Sequence, residues 1–415
     1  MKELGLIIDL NQPLVNEESA IKRSITDFYN PLARLLKSYK NFSFSLNIPL
    51  STLELWEKHG AAGLISDFKD MYQNEKFELI NSSPYGLHLT ILPEKIIESQ
   101  LILNEYGIGY YLGSRQGFEG EPSIMLRDVT GFLPAINDLV DEGVLKVLLD
   151  FDYSWFAVKN SKLKENLFEI DIGEKVIKGV NVVDDLNNLI SSLLNNENSY
   201  IDSQSLDKHI FEEVSAIFER IYSDDNNSAV VILSSGNGNV DVDLNYKNLF
   251  RVYESVLDSL SKMFEQVKNV GDVLKYKYKL KKYPVNDYLK EMENTINDKC
   301  INFESSKEMC EKILSLNLNG VPISNIVIDS SDLSATRLWD LEHINAHNNI
   351  NILNNTCLLM IISRLVPLMS LKESKYCTEN ESLLLLVNEE TQSYIAKLLS
   401  YIDDKEIIEF LKSVI

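Results

Sequence analysis

Through the first two thirds of the chain, short apolar runs alternate with longer stretches of helical periodicity, and this alternation restricts the fold more than any other feature. A short run without polar alternation fits a strand buried on both faces, and such strands are joined by helical crossovers in parallel sheets. The pattern predicts an α/β plan. Gly5 to Leu10 (GLIIDL) reads as a buried strand, Ala20 to Ser38 as an amphipathic helix and Phe42 to Ile48 (FSFSLNI) as the next strand. Leu53 to Asn74 is expected to be helical, Phe77 to Ile80 (FELI) a strand, Glu94 to Tyr106 a helix, and Val144 to Phe151 (VLKVLLDF) a further buried strand. Ser228 to Leu233 (SAVVIL) reads as a strand running into the glycine-rich SSGNGN, with a long helix over Tyr246 to Val267 after it. Closing these strands into a barrel is the economical arrangement. The Asn- and Ser-rich stretch Asn187 to Ser205 is expected to include a surface loop.

From about Pro284 the pattern turns helical, with Asp287 to Lys299, Ser306 to Leu314, Leu353 to Met369 and Glu379 to Ile415 as candidate helices. We therefore expect residues 1–285 to form the barrel and 286–415 a helical region packed on it. A length of 415 residues suits one large barrel with an appendage, and apolar and charged shares of 45% and 25% are those of a folded chain.

A formal net charge of −22 sets the chain against polyphosphates, so nucleic acid is not an expected partner. The one dense basic stretch, LKYKYKLKKYP around Lys275 to Lys282, alternates with period two and reads as the solvated face of a strand. No apolar run approaches the ~20 residues of a membrane span, and Met1 to Leu10 lacks the layout of a secretory signal. The four cysteines, Cys300, Cys310, Cys357 and Cys377, form no Cys-x-x-Cys pair and suit a reducing compartment, so a cytoplasmic protein without membrane contact is expected.

Several segments in order carry a family resemblance. IIDLNQP, with Asp9, Asn11, Gln12 and Pro13 closing strand one, resembles the His-x-His-Gln-Pro signature with which family 57 glycoside hydrolases begin, with the histidines replaced. FSFSLNIPLSTLELWEKHG (Phe42 to Gly60) is similar to the family's second strand and helix. FELINSSPYGLHLTILPEKIIESQ (Phe77 to Gln100) is similar to the segment in which Ser-x-Tyr-His-Pro-x-Leu-Pro precedes a helix carrying Gln, with the histidine displaced to His88. The likeness continues through YYLGSRQGF (Tyr110 to Phe118) and AINDLVDEGVLKVLLDFD (Ala135 to Asp152). The resemblance implies an incomplete (β/α)7 barrel with a C-terminal helical region, and retaining chemistry on α-linked glucans. That chemistry requires two carboxyl groups about 5 to 5.5 Å apart, one attacking the anomeric carbon and one moving the proton.

In the family the nucleophile is a Glu closing a Trp-x-Pro-Glu or Phe-Pro-Pro-Glu motif, after a Gly-Phe and before the glycine that introduces the next strand. Counting back from Gly143 reaches Asp128 in SIMLRD, and counting forward from Gly117-Phe118 reaches Glu121 in GFEGEP. Both are candidates, with Asp128 favoured. An Asp there would draw the carboxylate back by one methylene, and a displacement of ~1 Å costs on the order of a hundredfold in rate. Asp128 can equally be read as half of a surface ion pair with Arg127, or as a helix cap. The family's acid/base is the Asp of an Asp-Gly-Glu after a late strand. The matching AVVILSSGNGN carries Ser235, Gly236 and Asn237 there, and a serine hydroxyl is a poor proton shuttle near neutral pH. Asp241 and Asp243 could substitute only if their loop folds back.

SSGNGN lacks the Lys of a Walker loop and the spacing of a dinucleotide fingerprint. His343 and His347 would share a helix face, but no zinc-protease Glu lies between them, so neither a metal nor another cofactor is expected. The expected binding set at the mouth is Asp9, Asn11, Gln12, His88, Asp150, Asp152 and Trp155: carboxylates and amides for sugar hydroxyls, and an aromatic face for a pyranose ring. Trp155 can also be read as core. The expectation is a family 57-like barrel that acts on or binds α-glucans or α-glycosides, with its catalytic pair lost or rebuilt. The alternatives are an active retaining glycosidase or glucanotransferase using Asp128 or Glu121, and a non-enzymatic interaction scaffold.

Overall fold

The computed structural model describes residues 2–12, 15–118, 121–125, 129–135, 140–159, 163–195, 203–222, 227–235, 245–275, 279–292, 303–318, 321–322, 361–373, 381–400, 402 and 405–414. The strands that build the main sheet are β1 (Glu3–Asp9), β2 (Phe44–Asn47), β3 (Phe77–Asn81), β6 (Gly131–Phe132), β7 (Trp155–Lys159), β8 (Leu167–Ile172), β9 (Lys175–Val182), β10 (Ser228–Ser234), β11 (Val267–Lys268) and β12 (Lys281–Pro284). A separate antiparallel hairpin, β4 (Ser114–Phe118) with β5 (Glu121–Met125), precedes β6.

Seven strands lie side by side in the order β10-β1-β2-β3-β6-β7-β9, every neighbouring pair parallel. Between the two ends of this series, β9 and β10 meet only at the bridge from Val183 to Val231, where Val183 N donates to Val230 O at 2.9 Å. The sheet is thus an incomplete (β/α)7 barrel, not closed by a continuous ladder. Outside the seam, β8 pairs antiparallel with β9 and carries the lysine-rich β12 on its far edge. Lys281 and Lys282 are exposed there and pair with Glu165, Glu169 and Asp171, an arrangement that keeps an open strand edge from recruiting another chain.

Side-chain alternation divides the core in two. Leu4, Leu6 and Ile8 of β1 join the large core beneath the helices, whereas Ile7 joins Ile80, Trp155, Ala157, Val180, Val230 and Ile232 in a smaller cluster inside the barrel. The surrounding helices are α1 (Glu18–Ser24), α2 (Asn30–Ser38), α3 (Leu50–Lys58), α4 (Ala62–Gln73), α5 (Glu94–Leu112), α6 (Glu142–Asp150), α7 (Asp185–Asn195), α8 (Ser203–Ile221) and α9 (Tyr246–Met263). A π-helical turn, Ile25–Tyr29, joins α1 to α2. A short helix, α10 (Val270–Leu274), inserts Val270, Val273 and Leu274 into the interior cluster and plugs the barrel at the N-terminal ends of the strands.

The expected strand over Val144 to Phe151 is instead helix α6. Its buried residues Val144, Leu145, Val147, Leu148 and Leu149 follow a helical face, and the Asp141 carboxylate caps it by accepting from Val144 N at 2.9 Å. An apolar run of this length does not separate buried strand from buried helix by periodicity. The expected helix over Leu53 to Asn74 is two helices, broken at Gly60, whose φ of 75° is the left-handed conformation that ends a helix. The stretch expected to hold a loop is helical over Asp185–Asn195, and residues 196–202 lie outside the described ones.

After β12 the described elements are α11 (Val285–Met292), α12 (Phe303–Leu314), a π turn (Ile361–Leu365) leading into α13 (Val366–Glu373), α14 (Glu381–Leu399) and α15 (Lys405–Val414), besides a short antiparallel pairing of Asn317–Leu318 with Val321–Pro322. Cys310 on α12 is buried, and burial pushes its thiol up to about 12; the other cysteines lie outside the described residues. No described helix is long and apolar enough to cross a membrane.

Candidate functional site at the barrel mouth

In a parallel barrel the C-terminal strand ends form the face where sites are built. Here those ends bring Asp9 (β1), Asn47 (β2), Lys159 (β7) and Ser234 (β10) together. Asp9 is 2% exposed; it accepts from Asn47 Nδ2 at 2.9 Å and from Ser234 Oγ at 3.3 Å, and Lys159 Nζ lies 3.8 Å from its Oδ2. Ser234 N donates to Asn187 Oδ1 at 2.9 Å, and Asn187 Nδ2 donates to Asp184 Oδ1 at 2.6 Å. Asp184 follows β9. Burial raises its pKa, the Asp9 charge adds to the rise, and Asn187 and Lys159 oppose it.

A narrow cleft opens over these groups, lined by Asp9, Asn11, Asn47, Ser83, Ala135 and Lys159 among others, with a volume of about 10 Å³. That is room for a single water. Two polar atoms in its wall have no partner among the described residues: Asn47 Oδ1 and Ser83 Oγ, on residues each 3% exposed. Unsatisfied groups at such burial are uncommon in folded proteins, so a water or a ligand hydroxyl in the cleft would meet donors and acceptors already in place.

Ser235 sits at the end of β10 and is 5% exposed. Its hydroxyl accepts from Tyr29 Oη at 3.0 Å and donates to Asn11 O at 3.4 Å, and its amide donates to Asp9 O at 2.8 Å. Tyr29 belongs to the π turn between α1 and α2, and burial holds its phenol far above the ordinary range, so it stays a neutral donor. β6 runs from Gly131-Phe132 into Leu133, Pro134 and Ala135, and the last two line the cleft.

Of the residues expected at the mouth from sequence, Asp9 and Asn11 line the cleft. Gln12 is beside it but serves the scaffold: its amide donates to Thr52 Oγ1 at 3.1 Å and its Nε2 to Ser24 Oγ at 2.8 Å. His88 is buried in the β3–α5 connection, ahead of a short 3-10 turn, and does not line the cleft. Asp150 and Asp152 are not brought to the mouth. They end and follow α6 on the side where β7 begins, both are exposed, and Asp150 pairs with Lys175 at 2.9 Å. Their expected placement depended on reading α6 as a strand. Trp155 is fully buried inside the barrel, so no ring face is open to a sugar. Asp128 lies outside the described residues. Glu121 opens β5, opposite Phe118 in the hairpin. Asp241, Asp243, His343 and His347 also lie outside. The residues missed from sequence are Lys159, Asn47, Asp184 and Asn187.

No family model matches the chain, and no curated protein matches it. Solved structures do. The chain is similar to a GH57 branching enzyme from the archaeon Thermococcus kodakaraensis, with a TM-score of 0.58 and 11% identity, over all of this chain and 94% of that one. It is similar to an alpha-amylase from Thermotoga maritima, with a TM-score of 0.58 and 10% identity, over all of this chain and 96% of that one. The fold is that of the family 57 glycoside hydrolases. A third similar structure, the 4-alpha-glucanotransferase from Thermococcus litoralis, has a TM-score of 0.52 and 12% identity over 88% of this chain. The chain spans about half, 53%, of that enzyme's length. At these identities the family 57 likeness is one of fold, and what the mouth does rests on its own residues.

Proposed function

We propose that this family 57-like barrel recognises an α-glucan or α-glycoside at its mouth without the family's pair of catalytic carboxylates. One observation carries the reading: β6 leads into Ala135, which lines the cleft, and β10 leads into Ser235, whose amide bonds Asp9 O, and neither residue has a carboxyl. Phe132-Leu133-Pro134-Ala135 follows a Gly, as the Phe-Pro-Pro-Glu motif follows a Gly-Phe, with Ala where the motif has Glu. This assignment replaces Asp128 and Glu121, which both precede β6 in the chain. Ser235 is engaged by Tyr29, and a hydroxyl of ordinary pKa does not deliver a proton to a leaving group near neutrality. What remains is recognition chemistry. Asp9 and Asn47 Oδ1 accept from sugar hydroxyls, Lys159 donates, and Ser83 Oγ does either.

The narrowness of the cleft favours a second reading, that the barrel is an interaction scaffold with a closed mouth. Calorimetric titration with maltoheptaose, alongside a reducing-end assay on the same samples, separates the two. Binding without sugar release is expected. Release would overturn the loss of catalysis, and the absence of binding to malto-oligosaccharides would leave the scaffold.

A further inference from the structure

Beside the mouth lies a second, larger cleft, of about 100 Å³, between α3 and the C-terminal helices. Ser51, Glu54 and Lys58 form its α3 wall on one helix face, and Arg364 and Tyr394 face them from the π turn before α13 and from α14. Tyr85 is also in its lining. The two clefts adjoin: Pro49 and Ser83 line the mouth, and Ser51 and Tyr85, two residues further on in each segment, line the second.

We propose that this second cleft is a sugar-binding site that takes one neutral hexose unit. The proposal rests on the carbohydrate reading of the mouth and extends it to a site with different residues. Size comes first: about 100 Å³ is too little for an oligosaccharide and limits the cleft to one ring seated with an edge in solvent. Charge comes second. Lys58 and Arg364 balance Glu54 and Glu390 in the lining, so the site has no formal charge with which to select an ion. Arg364 pairs with Glu54 and donates to Tyr85 Oη at 3.0 Å, and its guanidinium carbon lies 4.6 Å from the Tyr85 ring centroid and 5.6 Å from that of Tyr394. The guanidinium thus lies within cation–π reach of both rings. Hydrogen bonding comes third. Ser51 Oγ, on a residue 4% exposed, and Arg364 Nε have no partner among the described residues. Nε–H only donates and the serine hydroxyl both donates and accepts, so neighbouring hydroxyls on one ring satisfy them together. Arg364 also lies in a π-helical turn, an irregularity that recurs at functional sites.

The test uses the full chain with D-glucose and inorganic phosphate as probes, read by saturation-transfer NMR and calorimetric titration. Ser51→Ala is expected to weaken glucose binding on the order of fivefold, the worth of one hydrogen bond. Leu55→Trp, which fills the cleft from the half-exposed side of α3, is expected to abolish binding there, and Asn47→Ala reads binding at the mouth separately. Circular dichroism confirms that each variant folds. Glucose binding that survives both cleft substitutions overturns the proposal. Binding lost only in Asn47→Ala removes the second site and leaves the mouth reading standing, whereas no binding of any sugar removes both. Phosphate that displaces glucose in a Ser51-dependent manner would make this an anion site and overturn the assignment.

Discussion

The two ends of the barrel use buried polar groups for different purposes. At the plugged end, Glu78 accepts from Ser45 Oγ at 2.5 Å and from Gly271 N at 3.0 Å, while Ser45 Oγ accepts from Val270 N at 2.9 Å. These groups consume free amides at the start of α10. At the mouth, the network from Asp184 through Asn187 and Ser234 to Asp9 and Lys159 ends in a cleft where acceptors remain open. One end fastens a plug. The other presents a surface, and polarity alone does not tell them apart; the difference is whether the hydrogen bonds are used up.

The largest test concerns the layer between the ends. Trp155 is fully buried, so Trp155→Ala should cost about 3–5 kcal/mol in stability, measured by urea unfolding, with little specific effect on sugar binding in the folded fraction. A stable variant that loses binding would move Trp155 to the mouth and erase the distinction between interior and site. The next effect is steric. A Cβ added at Gly131 would meet the Trp155 ring at 2.2 Å, so Gly131→Ala should destabilise by about 1–3 kcal/mol by the same measurement. Wild-type stability would mean that the indole is free to shift.

The third test addresses the mouth itself. Lys159→Met leaves Asp9 buried without its counter-charge. Because Lys159 is partly exposed and the pair is 3.8 Å apart, the expected cost is about 1–2 kcal/mol, below that of a tight buried pair. Adding Asp9→Asn should recover most of it, as a double-mutant cycle would register. If the single substitution is silent, the two charges are solvated and the mouth network ends at Ser234.

The barrel was legible because its strands are apolar runs with few polar interruptions, and Asp9 stood out as the charge that ends the first of them. The site was less so, for a local reason. VLKVLLDF satisfies both a buried strand and a buried helix; taken as a strand, it put Asp150 and Asp152 at a C-terminal strand end. With the helix in place, WFAVK is the strand and Lys159 its C-terminal residue. The deciding signal was Asp141, three residues before Val144 and able to cap a helix. GFLPA, proposed above to stand at the nucleophile position, ends in Ala and so carries no carboxylate to mark it. Asp184 and Asn187 carry no motif, and their role arises only from the chain turning over the end of β9 onto Ser234.

The smallest effect, and the one that sharpens the comparison most, is in pH. Glu78 at the plugged end and Asp184 at the mouth both have pKa values raised, in each case first by burial. A carboxyl whose pKa is higher folded than unfolded binds its proton more tightly in the native state. Its stabilising contribution is therefore present at acidic pH and is lost as pH climbs from the ordinary carboxylate value through the folded one. Glu78→Gln and Asp184→Asn should each flatten part of that decline in unfolding measurements across the acidic range. The ends part company when ligand is added. A sugar seated at the mouth changes the surroundings of Asp184 and not of Glu78, so saturating maltoheptaose should alter the pH slope of the wild type and of Glu78→Gln, but alter it less in Asp184→Asn. An equal change in all three would mean that the sugar binds away from Asp184, and that its network, like the one around Glu78, only holds the fold.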